Sequence, residues 1–313
     1  MFTEPEILII SNKFDFSTDL ITNKLRELNV PYLRLNRDEL GEYSIDFDPF
    51  LPSLVIGIAG LSYKITNNNL RSIYYRAPTF LRDIFQNDLP EEEQLYRTQW
   101  SAFVRSLIVF ENANWVNNPV DTYKAEMKPY QLYYAKKIGF KVPTTIISNY
   151  TGNQINTTKI AIKSIDTAIL SQNEDEAFVY TTILNSRDII ETQYSSPFFM
   201  QEGLVPKIDI RITVIGSTII PIKIINDDGI DEDWRKFKGE IKYEIFVLPN
   251  DIHKFCLELA KGLKLSFCAI DMIETENGFF FIEVNPTGEW AWLQKNTGYE
   301  FDTKIANLLC EKN

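Results

Sequence analysis

From residue 143 onward the sequence breaks into short apolar or alternating runs separated by turn residues: PTTIISN, KIAIKSI, AFVYTTI, PFFMQEGL and DIRITVIGSTIIPIKII. Runs of this length read as β-strands joined by tight turns, with Gly216-Ser217 as the two-residue turn of a hairpin. A helical period over 251–264, within PNDIHKFCLELAKGLKL, interrupts them once. A last hairpin follows, FCAIDMIETENGFFFIEVNP, turning at Glu276-Asn277-Gly278, and two short helices close the chain. The second half must therefore bury antiparallel sheets.

The first half has another texture. EILIISN is an unbroken apolar run, FSTDLITNKLRELN has helical spacing with Ser17 or Thr18 as its cap, and PYLRLNRD alternates, which together make a βαβ unit. Residues 53–65 and 72–76 add strands, and LPEEEQLYRTQWSAFVRSLIVFEN reads as an amphipathic helix with acids in its first turn, where the helix dipole favours them. TYKAEMKPYQLYYAKKIG is a further helix in which Pro129 either makes a kink or marks the true first turn. The expected class is α/β (α+β). The expected division is an α/β domain over 1–115, a central region over 116–200 and a C-terminal region over 201–313.

Composition narrows the chemistry. The three cysteines, Cys256, Cys268 and Cys310, form no CxxC pair and the only histidine is His253, which excludes a His/Cys metal centre. Cys256 and Cys268 sit among apolar residues and read as core, while His253 reads as an exposed helix residue. Catalysis must run on carboxylates, lysine, arginine or a hard metal. A formal charge of −11 argues against nucleic acid or an anionic membrane as partner, since both require a basic field. It leaves room for a nucleotide in a locally basic cleft. No apolar run approaches the roughly 20 residues that span a bilayer, and the early acids of MFTEPEILIISNKFDF are unlike a secretory or transit signal. A cytoplasmic protein is expected.

The last hairpin carries the sharpest signal. Asp271 and Glu283 lie at nearly equal distances from its turn and become cross-strand neighbours, and Glu283 shares a face with Asn285. Oxygen ligands without nitrogen or sulfur suit Mg²⁺, which takes one or two carboxylates and completes its shell with water and substrate phosphates. A solvated outer face, opposite Ile282 and Val284, accounts for the same pattern. Spacing alone leaves both readings open.

Asp271 followed by IEVNPTG (282–288) resembles the closing Mg²⁺ motif of the ATP-grasp ligases, and other segments match that family in order. KAEMKPYQLYYAKKIGFKVPTTIISN (124–149) resembles the helix that contributes a nucleotide-facing lysine, here Lys128. KIAIK (159–163) resembles the strand ending in a second phosphate-binding lysine, Lys163. FFMQEGL (198–204) resembles the hinge that holds adenine, which implies Gln201, Glu202 and Leu204. KIDIRITVIG (207–216) resembles the strand whose arginine is aimed at the transferred phosphate, here Arg211. Each residue has a plainer reading: solvated charges for the lysines, and a core or rim anchor for Trp290 and Trp292.

SIYYRAP (72–78), NWVNNP (114–119), DWR (233–235) and VNPTGEWAWLQKNTG (284–298) narrow the likeness to the graspetide synthetases, the microviridin-type peptide macrocyclases. That group commonly carries two arginines before the proline of the first segment; here Arg76 is followed by Ala77. The resemblance implies an ATP-grasp fold, an N-terminal pre-ATP-grasp domain with two β-rich lobes enclosing ATP. It also implies ATP and Mg²⁺ as cofactors, a ribosomally made precursor peptide with leader and acidic core as partner, and a homodimer. The implied reaction activates Asp or Glu side chains of that peptide as acyl phosphates and joins them to Thr or Ser hydroxyls or Lys amines.

Charge adds one expectation. An acidic core peptide is repelled by a protein at −11, so the cleft mouth needs a basic patch. Lys223, Arg235, Lys236, Lys238 and Lys242 lie between the two hairpins, and Arg211, Lys223 and Arg235 are expected to hold the substrate carboxylate or its acyl phosphate. Two other readings share the motifs: a RimK-like ligase adding an amino acid to a protein or small molecule, and a silent ATP-grasp fold used to bind peptide.

Overall fold

The computed structural model describes residues 2–78, 89–152, 155–166, 169–172, 175–178, 181–226, 234 and 239–311, with 169–172 and 175–178 as backbone only. It is a mixed α/β structure of two compact units, one made of residues 1–124, 261–268 and 286–313 and the other of 125–260 and 269–285.

The first unit is built on a parallel four-stranded sheet in the order Tyr32–Asn36, Ile7–Ser11, Ser72–Tyr75, Asn114–Val116. Every residue of Ile7–Ser11 is buried. An interior parallel strand is covered on both faces, which is why its sequence is an unbroken apolar run. The crossover helix is Phe16–Glu27, and its cap is Asp15 rather than the expected Ser17 or Thr18. Asp15 Oδ1 accepts from the Thr18 amide at 3.2 Å, the bond that satisfies an orphan first-turn donor. Ser17 and Thr18 lie inside that turn and are buried.

An antiparallel sheet of Ser44–Asp48, Ser53–Ile58 and Leu61–Thr66 accompanies it. Its second turn places Ala59 and Gly60 at φ 49° and 80°, the positive values a tight hairpin requires. Leu54, Ile56 and Ile65 of this sheet join Leu8, Ile10, Leu33 and Leu35 in one core, closed by Val104, Leu107 and Phe110.

Among the described residues the second unit holds three sheets, one of them the antiparallel pair Ile169–Gln172 and Asp175–Phe178. The antiparallel four-stranded sheet has the order Thr182–Asn185, Lys159–Lys163, Gln193–Glu202, Thr145–Tyr150. The five-stranded sheet has the order Lys242–Ile245, Thr218–Ile225, Ile208–Ile215, Phe267–Thr275, Gly278–Asn285. The helical stretch around Pro129 resolves into two helices, Pro119–Ala125 and Lys128–Ile138, with Pro129 in the first turn of the second. Proline lacks the N–H that a helix interior needs, but a first turn leaves that donor unused anyway. Gly139 ends this helix at φ 123°, and a Cβ there would stand 2.9 Å from the Phe255 ring. The chain then inserts Phe140 between Phe255 and Phe281, with ring centroids 5.4 Å away in each case.

Cys256 and Cys268 are buried and His253 is exposed. Among the described residues no helix is long and apolar enough to cross a membrane.

Candidate active site

The closing hairpin pairs Thr275 with Gly278, Glu274 with Phe279, Ile273 with Phe280 and Met272 with Phe281, and then slips by one residue. Beyond the slip Asp271 faces Glu283 and Ala269 faces Asn285. An uninterrupted count from the turn would have set Asp271 against Ile282. The extra residue is a β-bulge, which re-aims the side chains that follow it. Phe281 and Val284 are both fully buried on one face, which two residues three apart share only across a bulge, and Glu283 and Asn285 lie on the opposite one.

On that opposite face Asn285 Nδ2 donates to Asp271 Oδ2 at 3.1 Å and to Glu283 Oε1 at 3.2 Å. Arg211, from the neighbouring strand Ile208–Ile215, donates through Nη1 to both Asp271 oxygens at 2.7 Å. Lys128, the first residue of its helix, brings Nζ to 3.5 Å from Glu283 Oε2. Lys163, the last residue of Lys159–Lys163, lies 5.6 Å over the Phe199 ring and acts electrostatically on Glu283. Six polar residues from five elements thus meet at one place.

Their charges are strongly coupled. Burial pushes the Glu283 carboxyl up, but Lys128 and Lys163 outweigh it, with Asn285 and Arg211 acting in the same sense, and hold it at about 2. Burial lowers the Lys163 ammonium to about 8; Lys128 adds to that, while Glu283 and Asp271 oppose it. Desolvation and like charge both disfavour the protonated lysine, and an added anion would reverse the effect.

Among the described residues no three or more His, Cys, Asp or Glu side chains are clustered for a metal. An ion here would find two carboxylates and the Asn285 amide, which offers its oxygen when the carboxamide is turned over. An oxygen set of this kind, one carboxylate of it firmly ionised, fits a hard divalent cation that draws its other ligands from water and phosphate.

The residues expected to form the hinge lie at and just beyond the end of Gln193–Glu202. Gln201 is buried and its Nε2 donates to Thr145 Oγ1 at 2.8 Å, so its side chain is used within the sheet. Glu202 Oε2 accepts from the Thr144 amide at 3.3 Å, and Leu204 is buried.

Of the expected basic trio, Arg211 and Lys223 lie on opposite faces of the sheet. Arg211 pairs across the hairpin with Ile222, and Lys223 with Ile210, so Lys223 points from the other face of the sheet. There it pairs with Glu274 at 2.5 Å and lies 4.9 Å over the Phe246 ring. Arg235, with Lys236 and Lys238, lies outside the described residues. Lys242 starts the outer strand Lys242–Ile245 and faces Ile225.

In the first unit Trp290 is fully buried, 6.2 Å from the Phe301 ring centroid, and belongs to the core. Its neighbour Glu289 accepts from the amides of Trp290 and Ala291 at 3.1 Å and pairs with Arg76. Sequence reasoning attached no role to Arg76 or Glu289. The signal was an acid one residue before the cap position of a short helix.

Residues 134–309 match the RimK-like ATP-grasp domain family. The tetrahydromethanopterin:alpha-L-glutamate ligase of Methanocaldococcus jannaschii is 22% identical over 296 residues, 87% of this chain and 90% of that protein. Among solved structures, a RiPP-associated ATP-grasp ligase of Chryseobacterium gregarium, in complex with ADP and a leader and core peptide, superposes with a TM-score of 0.82. It is 23% identical, over 98% of this chain and 96% of that one. The macrocyclase MdnC of Microcystis aeruginosa, bound with precursor peptide MdnA, has a TM-score of 0.80 and 20% identity over 98% and 99% of the two chains. These likenesses establish a shared fold, and the family match spans more than half of the chain. The protein is an ATP-grasp ligase and belongs to the RimK-like ATP-grasp family.

Proposed function

We propose that the protein is an ATP-dependent peptide macrocyclase. It activates Asp or Glu side chains of a ribosomal precursor peptide as acyl phosphates and joins them to Thr or Ser hydroxyls or Lys amines of the same peptide. The observation that carries this reading is the convergence of Lys128, Lys163 and Arg211 on the Asp271–Glu283 pair. Three cations beside two carboxylates suit phosphoryl transfer, which needs positioning and charge stabilisation rather than a covalent nucleophile.

Lys128 and Lys163 neutralise the phosphates of ATP, and the hinge residues Gln201, Glu202 and Leu204 hold the base. Asp271, Glu283 and Asn285 hold Mg²⁺, which when bound withdraws charge from the phosphate oxygens. A peptide carboxylate oxygen attacks the γ-phosphorus and ADP leaves. A hydroxyl or amine of the same peptide then attacks the acyl carbon, losing its proton as phosphate departs. Arg211, tied to Asp271, stabilises the carboxylate and then the acyl phosphate. Joining two groups of one chain gives the second step its effective concentration. Full-length likeness to two ligases whose structures hold precursor or leader and core peptides supports a peptide substrate. The same reading takes an acidic core, a homodimer and a cytoplasmic location.

The methanogen relative favours a second reading, the addition of a free amino acid to a carboxylate. The deciding experiment is mass spectrometry of a candidate precursor from a neighbouring gene, incubated with the protein, ATP and Mg²⁺. Loss of one water per ring, with phosphate released in step, supports macrocyclisation. A gain equal to an amino acid residue moves the assignment to the ligase, and an unchanged peptide with no ADP formed leaves a peptide-binding module.

A further inference from the structure

We infer that Gln131 is a positioning residue for the Asp271, Glu283 and Asn285 set, an inference that rests on the reading of those three as cation ligands. Gly278–Asn285 is the outer strand of its sheet, so alternate backbone groups along it have no neighbouring strand. At Val284 both groups are taken by one side chain: Gln131 Oε1 accepts from Val284 N at 3.0 Å, and Nε2 donates to Val284 O at 2.8 Å. The second Nε2 hydrogen goes to Ala125 O at 2.5 Å, and Gln131 is 2% exposed. A carboxamide offers donor and acceptor side by side, as the peptide group of a further strand would.

Val284 stands between two of the three ligands. Fixing its amide and its carbonyl fixes the peptide planes on either side of it, and with them the directions in which Glu283 and Asn285 leave the chain. The need is local, because the bulge at Ile282 has just interrupted the ladder. The same helix begins at Lys128, three residues before Gln131 and on the same face, with its ammonium 3.5 Å from Glu283. A single helical turn therefore supplies a charge to the Glu283 carboxylate and a clamp to the next residue.

The test is Mn²⁺ binding to the full chain with ADP present, followed by electron paramagnetic resonance, for wild type, Gln131→Met, Gln131→Glu and Glu283→Gln. Gln131→Met is expected to weaken Mn²⁺ by about 10–100-fold, the usual loss for an outer partner of a metal ligand, with ADP affinity in chelator unchanged. Gln131→Glu adds a readout that edge-covering alone would not move. As a neutral acid the introduced carboxyl keeps both hydrogen bonds to Val284; ionised, it loses the donor. Burial raises its pKa, so Mn²⁺ affinity of this variant is expected to fall with rising pH between about pH 5 and 8, a step absent from wild type. That step carries the test if Gln131→Met does not fold. Equal Mn²⁺ affinities in wild type and both Gln131 variants, with only lowered melting temperatures, overturn the inference. Wild type that binds no Mn²⁺, or Glu283→Gln that binds it as tightly as wild type, overturns the cation site itself and the inference with it.

Discussion

Arg211 and Asp271 are joined by two hydrogen bonds of 2.7 Å, both from one guanidinium nitrogen. The pairing offsets repulsion between Asp271 and Glu283 and keeps a permanent positive charge beside the two carboxylates. In the proposed mechanism Arg211 competes with a cation for Asp271 and also stabilises the transition state. Arg211→Gln is therefore expected to lower kcat by about 10²–10³-fold, the scale of losing one preorganised donor, while Mn²⁺ binding is no weaker than in wild type. Phosphate release and a Mn²⁺ titration measure the two effects. A loss of ADP affinity in their place would sink the role given to Arg211.

The depressed Glu283 carboxyl makes a statement about stability. Its ordinary value is 4.5 and its folded value about 2, so the unfolded chain binds the extra proton between those limits. Stabilisation by Lys128 and Lys163 is thus complete above about pH 4.5 and is lost as pH falls toward 2. Glu283→Gln should flatten the melting temperature across that window, because it removes one titrating group. An acid limb identical in wild type and variant would show that Glu283 is not held by the two lysines.

Much of this arrangement is legible in the sequence. The apolar EILIISN run announced the first strand of a βαβ unit, and the turn at 276–278 placed Asp271 opposite Glu283, the pairing found. The bulge at Ile282 was not legible, because packing decides it: Phe281 and Val284 must both be buried. Lys223 is a different case. Once the hairpin turns at Gly216-Ser217, simple counting pairs it with Ile210 and puts it on the face away from Arg211. Net charge suggested a basic patch but held no information about faces. The clamp on Val284 joins residues far apart in sequence, and no local pattern announces such a contact.

Lys163 supplies a second pH effect in the same direction, here as the relief of a penalty rather than the gain of a stabilising charge. Burial lowers its ammonium from 10.5 to about 8, so between those values the unfolded chain holds the proton and the folded chain does not. Its penalty on stability is full below about pH 8 and is relieved as pH rises toward 10.5. Nucleotide binding runs the other way, since a neutral amine no longer meets the phosphates. ADP affinity is expected to fall above about pH 8 in wild type, and Lys163→Met should bind weakly with that pH dependence gone. Isothermal titration at a series of pH values tests this; a slope that survives in Lys163→Met would place the titrating group elsewhere.

Glu289 and Arg76 anchor the first unit through a contact that can be split into two parts. The Glu289 carboxylate caps Ala291–Thr297 through the Trp290 and Ala291 amides, takes the Ser17 hydroxyl, and pairs with Arg76. The Arg76 side chain is 8% exposed and keeps a second partner, Asp15, at 3.3 Å. Breaking a buried pair costs about 3–5 kcal/mol. The second partner and the 47% exposure of Glu289 reduce that, so Glu289→Ala is expected to destabilise by about 2 kcal/mol, cap and charge together. Glu289→Gln keeps an acceptor for the two amides and loses only the charge, which gives an expected loss of about 1 kcal/mol. Urea unfolding orders the variants. Equal losses would mean that the cap contributes nothing beyond the ion pair, and a Glu289→Ala protein as stable as wild type would mean that Asp15 and the Thr287 carbonyl suffice for Arg76.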